Sequence, residues 1–308
     1  MNQLDAIKIF VRVAEAASFT QAAADLGLPK ASTSLAVQWL ENQTGIRLLH
    51  RTTRRVQMTQ DGQVFYQRCL EWLADAEELQ DMFRIDPADV RGRLRVDMSV
   101  GAVAGIVMAR LPEFMARYPN VEVELGATDH LVDIVAEGFD CVMRAGTISD
   151  SRLVARRLGA YRQLNCVSPA YAAAYGIPQT LADLAEHRLV HYALSLGSKP
   201  AGFEYVDAAS GEVRNLPMAG NLTVNSSIAY FSACLAGLGM IQGPEPNLEP
   251  YLQRGELIEV LPDYRAEPLP VTLLYSNRRH LSRRVQVFMC WLEGVMTPHL
   301  QALAPSRP

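Results

Sequence analysis

Over the first sixty positions apolar residues recur every three or four places, whereas past Gly92 they come in short runs divided by Gly, Pro and polar clusters. Leu4, Ile7, Phe10, Val11 and Ala14 predict a helix ending near Ala17. Ser18, with Gln21 three residues on, predicts the capping box of a short helix through Leu26 that Gly27 stops. Pro29 favours the first turn of a third helix, with Thr33, Ala36, Val37 and Leu40 inward and Gly45 at its end. Two short helices across a tight Gly turn make a helix-turn-helix. Arg47 to Val56 then predicts a small basic hairpin around a Thr-rich turn. From Asp61 to Phe83 the residues Phe65, Cys69, Trp72, Ala76, Leu79 and Phe83 form a heptad seam, read either as a dimerisation helix or as a core helix. Pro87 and Gly92 mark a hinge.

Past the hinge the pattern predicts strands at Leu94–Met98, Val121–Leu125 and Phe139–Arg144, with helices at Val103–Tyr118 and Leu131–Glu137. A second set holds strands at Gln163–Val167, Arg188–Tyr192, Met240–Gln242 and Leu257–Leu261 and a helix at Ile228–Ala236. Leu269–Tyr275 and a helix at Arg283–Val295 look like a return to the first set. This rhythm implies βαβ units and a largely parallel sheet.

The formal net charge of -4 argues against a protein that coats nucleic acid or an anionic membrane. Residues 1–60 nevertheless carry seven bases against four acids. The basic end is where phosphate contacts are expected, and the outward face of the third helix, with Lys30, Ser32, Ser34, Leu35 and Gln38, carries donors able to reach base edges. A solvated helix face is the plainer reading. Five widely spaced cysteines (69, 141, 166, 234 and 290) suit a reducing cytosol as buried small hydrophobes. No apolar stretch reaches bilayer length, so a cytoplasmic protein with no membrane partner is expected.

The runs Ser18–Ala23, Leu26–Lys30, Leu40-Glu41, Gly45, Arg47–Thr52 and Thr59–Gly62 resemble the winged helix-turn-helix of the LysR-type transcriptional regulators. The resemblance implies an α+β and α/β architecture: a winged helix-turn-helix over 1–60, a linker helix and hinge over 61–91, and a two-lobed periplasmic-binding-protein-like effector domain over 92–308. Lobe I is placed at 92–161 and 267–308, lobe II at 162–266. It implies that Thr20 and Gln21 touch the DNA backbone, that Pro29, Lys30, Ala31, Ser32, Ser34 and Gln38 face the groove, and that Arg51, Arg54 and Arg55 reach phosphates or the minor groove; Ser18 and Leu35 complete the set. Ser34-Leu35 departs from the Ser-Arg often found in the family and offers an apolar surface to a thymine methyl. Double-stranded operator DNA, a second copy of the chain and RNA polymerase are the implied macromolecular partners.

In such lobes ligands sit at the C-terminal ends of strands, beside free helix amides. Ser99, Val100, Gly101, Ala102, Thr128, Arg144, Asn225, Ser226 and Gln242 fall there and suit a small organic acid. As alternatives, Ser99, Thr128 and Asn225 are simple caps and Arg144 pairs with Asp140 or Asp133. Asp140 reads as structural, and the histidines lack metal spacing, so neither a cofactor nor a metal is expected. With no G-x-S-x-G, P-loop or G-x-G-x-x-G there is no catalytic set. The alternative function is a cytoplasmic small-molecule-binding protein or enzyme built on the C-terminal part; a transport protein would need an export signal.

Overall fold

The computed structural model describes residues 2–51, 56–81, 90–134, 137–146, 153–199, 201–276 and 281–302. It divides into two compact units, residues 1–89 with 280–283 and residues 90–279 with 284–308.

In the first unit α1 (Gln3–Ala16), α2 (Phe19–Leu26) and α3 (Lys30–Thr44) precede an antiparallel hairpin, β1 (Leu49–Arg51) and β2 (Val56–Met58), and α4 (Gln60–Asp81). Ser18 Oγ accepts the Gln21 N–H at 3.3 Å, but the Gln21 amide turns away to donate to Asp25 at 2.7 Å, so only half of the expected capping box closes. Gly27, at φ +64°, ends α2. Pro29 stands at the N-cap of α3, one residue before the expected first turn, and offers no side-chain cap.

Phe10, Ala22, Val37, Leu40 and Leu48 are buried in one core, which Phe65 joins edge-on to Phe10 at a centroid distance of 5.4 Å. Cys69 is buried in the same core. The seam expected for dimerisation is thus divided: its first two members pack inside their own unit, while Trp72 is 44% exposed. Phe83 lies outside the described residues. Glu41 ties the hairpin to α3 by accepting the N–H groups of Leu48 (3.0 Å) and Leu49 (3.2 Å). Gly62 is needed where α4 starts, because a Cβ there would stand 2.0 Å from the Leu48 carbonyl oxygen.

In the second unit β3 (Arg91–Met98) runs into a continuous helical stretch over residues 100–117, formed by Val100–Ala102, a π turn at Val103–Val107, and Met108–Arg117. β4 (Asn120–Ala127), β5 (Cys141–Ala145) and β6 (Leu153–Tyr161) follow. The sheet order is β4, β3, β5, the strand Leu269–Ser276, then β6. β3 is parallel to both neighbours, but Leu269–Ser276 is antiparallel to β5 and β6. The sheet is therefore mixed, not largely parallel, because that strand comes back from the second lobe instead of over a crossover helix. Where a helix is expected at Leu131–Glu137, the described residues show none: 131–133 are irregular and turns stand at 134, 137 and 138, with Gly138 at φ +70° and Asp133 N–H donating to the Glu137 carboxylate at 3.0 Å.

The second lobe centres on β7 (Gln163–Val167), antiparallel to Ile241–Pro244 and to Ile258–Glu259. Helices Pro169–Tyr175, Ser227–Leu235 and Glu245–Gln253 cover it. The chain passes from the first sheet to the second at Arg162. Several elements here escape the sequence reading, among them the hairpin Phe203–Val206 with Val213–Leu216 and the helices Pro169–Tyr175 and Glu245–Gln253. Among the described residues no helix is long and apolar enough to cross a membrane.

Candidate functional site

Burial of Thr33, Ala36, Val37 and Leu40 on one side of α3 turns Lys30, Ala31, Leu35 and Gln38 outward, all exposed, with Ser32 and Ser34 half-buried beside them. Leu35 is 61% exposed, an apolar group that gains by meeting an apolar partner. With Pro29 supplying no side-chain cap, the amides of the first turn of α3 lack a cap acceptor there, and the helix dipole favours an anion. On α2 Thr20 and Gln21 are exposed. Gln21 is held by Asp25, which pairs with Arg12 at 2.6 Å; these contacts, Gln21's first, keep the Asp25 carboxyl below the usual carboxylate range. Ser18 is committed to its cap. Arg51 contributes backbone to β1, and Arg54 and Arg55 lie outside the described residues.

In the second unit a cavity of about 400 Å³ opens between the two sheets. Of the residues expected there, Ser99, Gly101, Ala102, Arg144 and Gln242 line it, whereas Val100, Thr128, Asn225 and Ser226 do not. Arg144 is 5% exposed and its ion partner is Asp97, 1% exposed, not Asp140 or Asp133. Thr128 Oγ1 donates to Asp97 Oδ1 at 2.8 Å and lies 3.1 Å from the guanidinium, so Thr128 braces this pair from behind the cavity. A Cβ at residue 126 would fall 2.2 Å from Asp97 Oδ2, which is why Gly126 stands there. Asp140 is structural as expected, accepting the Arg95 N–H at 2.9 Å. Gln242 has both amide hydrogens in use, on Asn165 Oδ1 and on the Glu204 carbonyl, each at 2.8 Å, and accepts the Glu204 N–H at 2.8 Å. These bonds fix its side chain in the wall of the cavity.

The helix ends are also occupied. Ser99 and Ser226 hold the N-cap positions of the helices beginning at Val100 and Ser227, yet neither makes a side-chain cap hydrogen bond. Asp129 caps both, accepting from Val100 N–H at 3.1 Å and Ser227 N–H at 2.6 Å. Asp129, Tyr161, His191, Tyr192, Ser227 and Tyr230 also line the cavity, and sequence reasoning missed them. Position offered a signal for two: Asp129 adjoins Thr128 at a strand end and Ser227 adjoins Ser226. Burial, then the neighbouring Asp129, pushes the Tyr192 phenol up to about 12, and burial holds the His191 imidazole below its ordinary range, so both are neutral. Arg144 Nε, Tyr161 Oη and Ser227 Oγ are buried without a hydrogen-bond partner among the described residues.

Comparison with known proteins agrees with both halves. Residues 4–63 match the family described as bacterial regulatory helix-turn-helix protein, lysR family, and residues 87–297 match the LysR substrate binding domain. The chain is 45% identical over 300 residues to the uncharacterized HTH-type transcriptional regulator YhjC of Escherichia coli (strain K12), covering 97% of this chain and 100% of that one. It is 34% identical over 293 residues (95% and 92% of the two chains) to an HTH-type transcriptional repressor of Pseudomonas aeruginosa. It is 30% identical over 287 residues (93% and 92%) to the HTH-type transcriptional activator AaeR of Escherichia coli (strain K12). Among solved structures, CrgA, a LysR-type transcriptional regulator from Neisseria meningitidis, superposes with a TM-score of 0.59 at 27% identity, over 94% of this chain and 97% of that one.

Proposed function

The chain belongs to the LysR family of DNA-binding transcriptional regulators with an effector-binding domain, and from that premise we propose that paired copies grip an interrupted inverted repeat in duplex DNA while an organic acid in the inter-sheet cavity sets their activity. The observation that carries the reading is the row Lys30, Ala31, Leu35 and Gln38 on the outer face of α3, held against the basic hairpin by Glu41. Lys30 suits guanine, Gln38 suits adenine, and Leu35 suits a thymine methyl. Arg51, Arg54 and Arg55 supply sequence-independent phosphate contacts, with Thr20 and Gln21 beside them.

The part of α4 from Trp72 onward pairs two copies, whose two-fold symmetry matches an inverted repeat. Larger assemblies such as tetramers, and contact with RNA polymerase, belong to the same reading, as does action in the cytoplasm. The effector works only by unequal affinity for two arrangements of the lobes. The unmet donors of Arg144, Tyr161 and Ser227 favour a guest rich in acceptor oxygens.

The test titrates purified protein against the DNA upstream of its own gene and against random duplex at fixed salt. Preference for the upstream DNA of roughly a thousand-fold or more is expected; equal affinity refutes the reading. Replacing Arg54 and Arg55 together by Ala should flatten the salt dependence by about two units of slope. An unchanged slope removes the hairpin from the interface.

A further inference from the structure

Asp129 sits where a bound carboxylate is expected to sit. Its two oxygens accept from the first amide of the helical stretch 100–117, on the first sheet, and from the first amide of Ser227–Leu235, on the second. Residue 129 follows β4, so one of these bonds stays within its own lobe and the other crosses the cavity. The partial positive charge of each helix end strengthens both. Two cap serines standing idle beside them show that the carboxylate, not local capping, claimed the amides.

A second feature of the cavity is independent of this contact. Tyr161 is 2% exposed, lines the cavity and has no partner for its hydroxyl among the described residues. Ser227 Oγ and Arg144 Nε are unmet in the same way. A buried donor without an acceptor costs free energy that a guest can recover. Asp129 satisfies the two amides and none of these three donors, whereas an acid filling the cavity has oxygens for both sets. Charge argues in the same direction: Arg144 is offset by Asp97, which leaves Asp129 and Glu204 as the carboxylates lining the space. An incoming anion meets like charge unless Asp129 leaves.

We propose that Asp129 is a built-in occupant of the effector's anion seat, clasping the two lobes in the empty protein until the carboxylate of the effector displaces it and takes over both amides. The inference rests on the organic-acid reading of the cavity. It makes activation an exchange of one carboxylate for another: the tethered one holds lobe to lobe, and the free one releases that tie. Because a tethered group competes at high effective concentration, a small acid with only the seat to hold it does not win, and the additional donors decide which acids do.

The test uses the full-length protein and acetate as the probe, with chloride at equal ionic strength as control. In Asp129→Ala both helix caps are lost, so its melting temperature should fall by roughly 4–8 °C, and acetate, not chloride, should restore part of the fall. Wild type should need roughly tenfold more acetate or beyond for any comparable gain. Asp129→Asn, which keeps one acceptor oxygen and guards against a misfolded Ala variant, should lie between the two in both readouts. An acetate effect on wild type equal to that on Asp129→Ala overturns the proposal, since the seat would then be free, and so does an Asp129→Asn variant indistinguishable from wild type. Acetate rescue together with an inducer that proves to be a base or a neutral molecule would fail the organic-acid reading and the displacement but leave the clasp.

Discussion

Arg144 stands where an effector-binding cation is expected, yet its first task is to neutralise Asp97 in the interior. Replacing Arg144 with Met would leave a 1% exposed carboxylate with a hydroxyl from Thr128 as company and no cation. Removing one partner of a buried pair costs about 3–5 kcal/mol, far more than a missing ligand contact would show in the empty protein. For a unit of this size that corresponds to a fall of roughly 6–20 °C in melting temperature. Asp97→Asn introduced alongside removes the stranded charge, so the double variant should regain more than half of the loss. Scanning calorimetry on the full-length protein, with both single variants and the double, closes the cycle. A single variant within about 1 kcal/mol of wild type, or a double variant as unstable as the two singles summed, would refute the coupling. Loss of the inducer response in an Arg144 variant is therefore evidence of a ligand contact only when stability has been matched first.

Further consequences are open to measurement. Gly62→Ala drives a methyl against the Leu48 carbonyl, so the first unit should lose about 1–3 kcal/mol and operator affinity should drop with it; a neutral Ala would show that the start of α4 can shift freely. Burial pushes the Cys69 and Cys234 thiols up to about 12 and raises those of Cys141 and Cys166 as well, while Cys290 is exposed. A thiol reagent at neutral pH should thus label one cysteine of the five in native protein, and prompt labelling of several would contradict that burial. Burial also holds the His187 and His191 imidazoles below the ordinary range, so the unfolded chain binds more protons below about pH 6.5. Stability should be intact at neutral pH and decline on acidification through that value, and replacing both histidines by Gln should flatten the decline; urea midpoints that rise on acidification would reverse the sign.

Most of the reader was legible in the sequence because its rules are local. Ser18, Gly27 and Gly45 act within one turn of where they stand, and the inward stripe of α3 repeats at helical spacing. Strand ends were legible as well, which is how Ser99, Gly101, Ala102, Arg144 and Gln242 were found at the cavity. Pairing at long range was not. Asp97 lies 47 positions before Arg144, and the amides claimed by Asp129 lie 29 positions before it and 98 after, so the serines that local rules name as caps stand idle. A heptad pattern is equally blind to destination: Phe65 and Cys69 satisfy it while packing inward, as Trp72 satisfies it while exposed.

The strand Leu269–Ser276 is an inner strand of the first sheet, with β5 on one side and β6 on the other. During synthesis the helices of the DNA reader emerge first, and the strands of the second sheet, residues 163–259, are all present before this one leaves the ribosome. Until then β5 has a partner on one side alone and β6 has none at all, which makes closure of the sensor a late, long-range event. A chain ending ahead of Leu269 is consequently expected to form its second sheet but not to close its first, and so to lose one wall of the cavity between them.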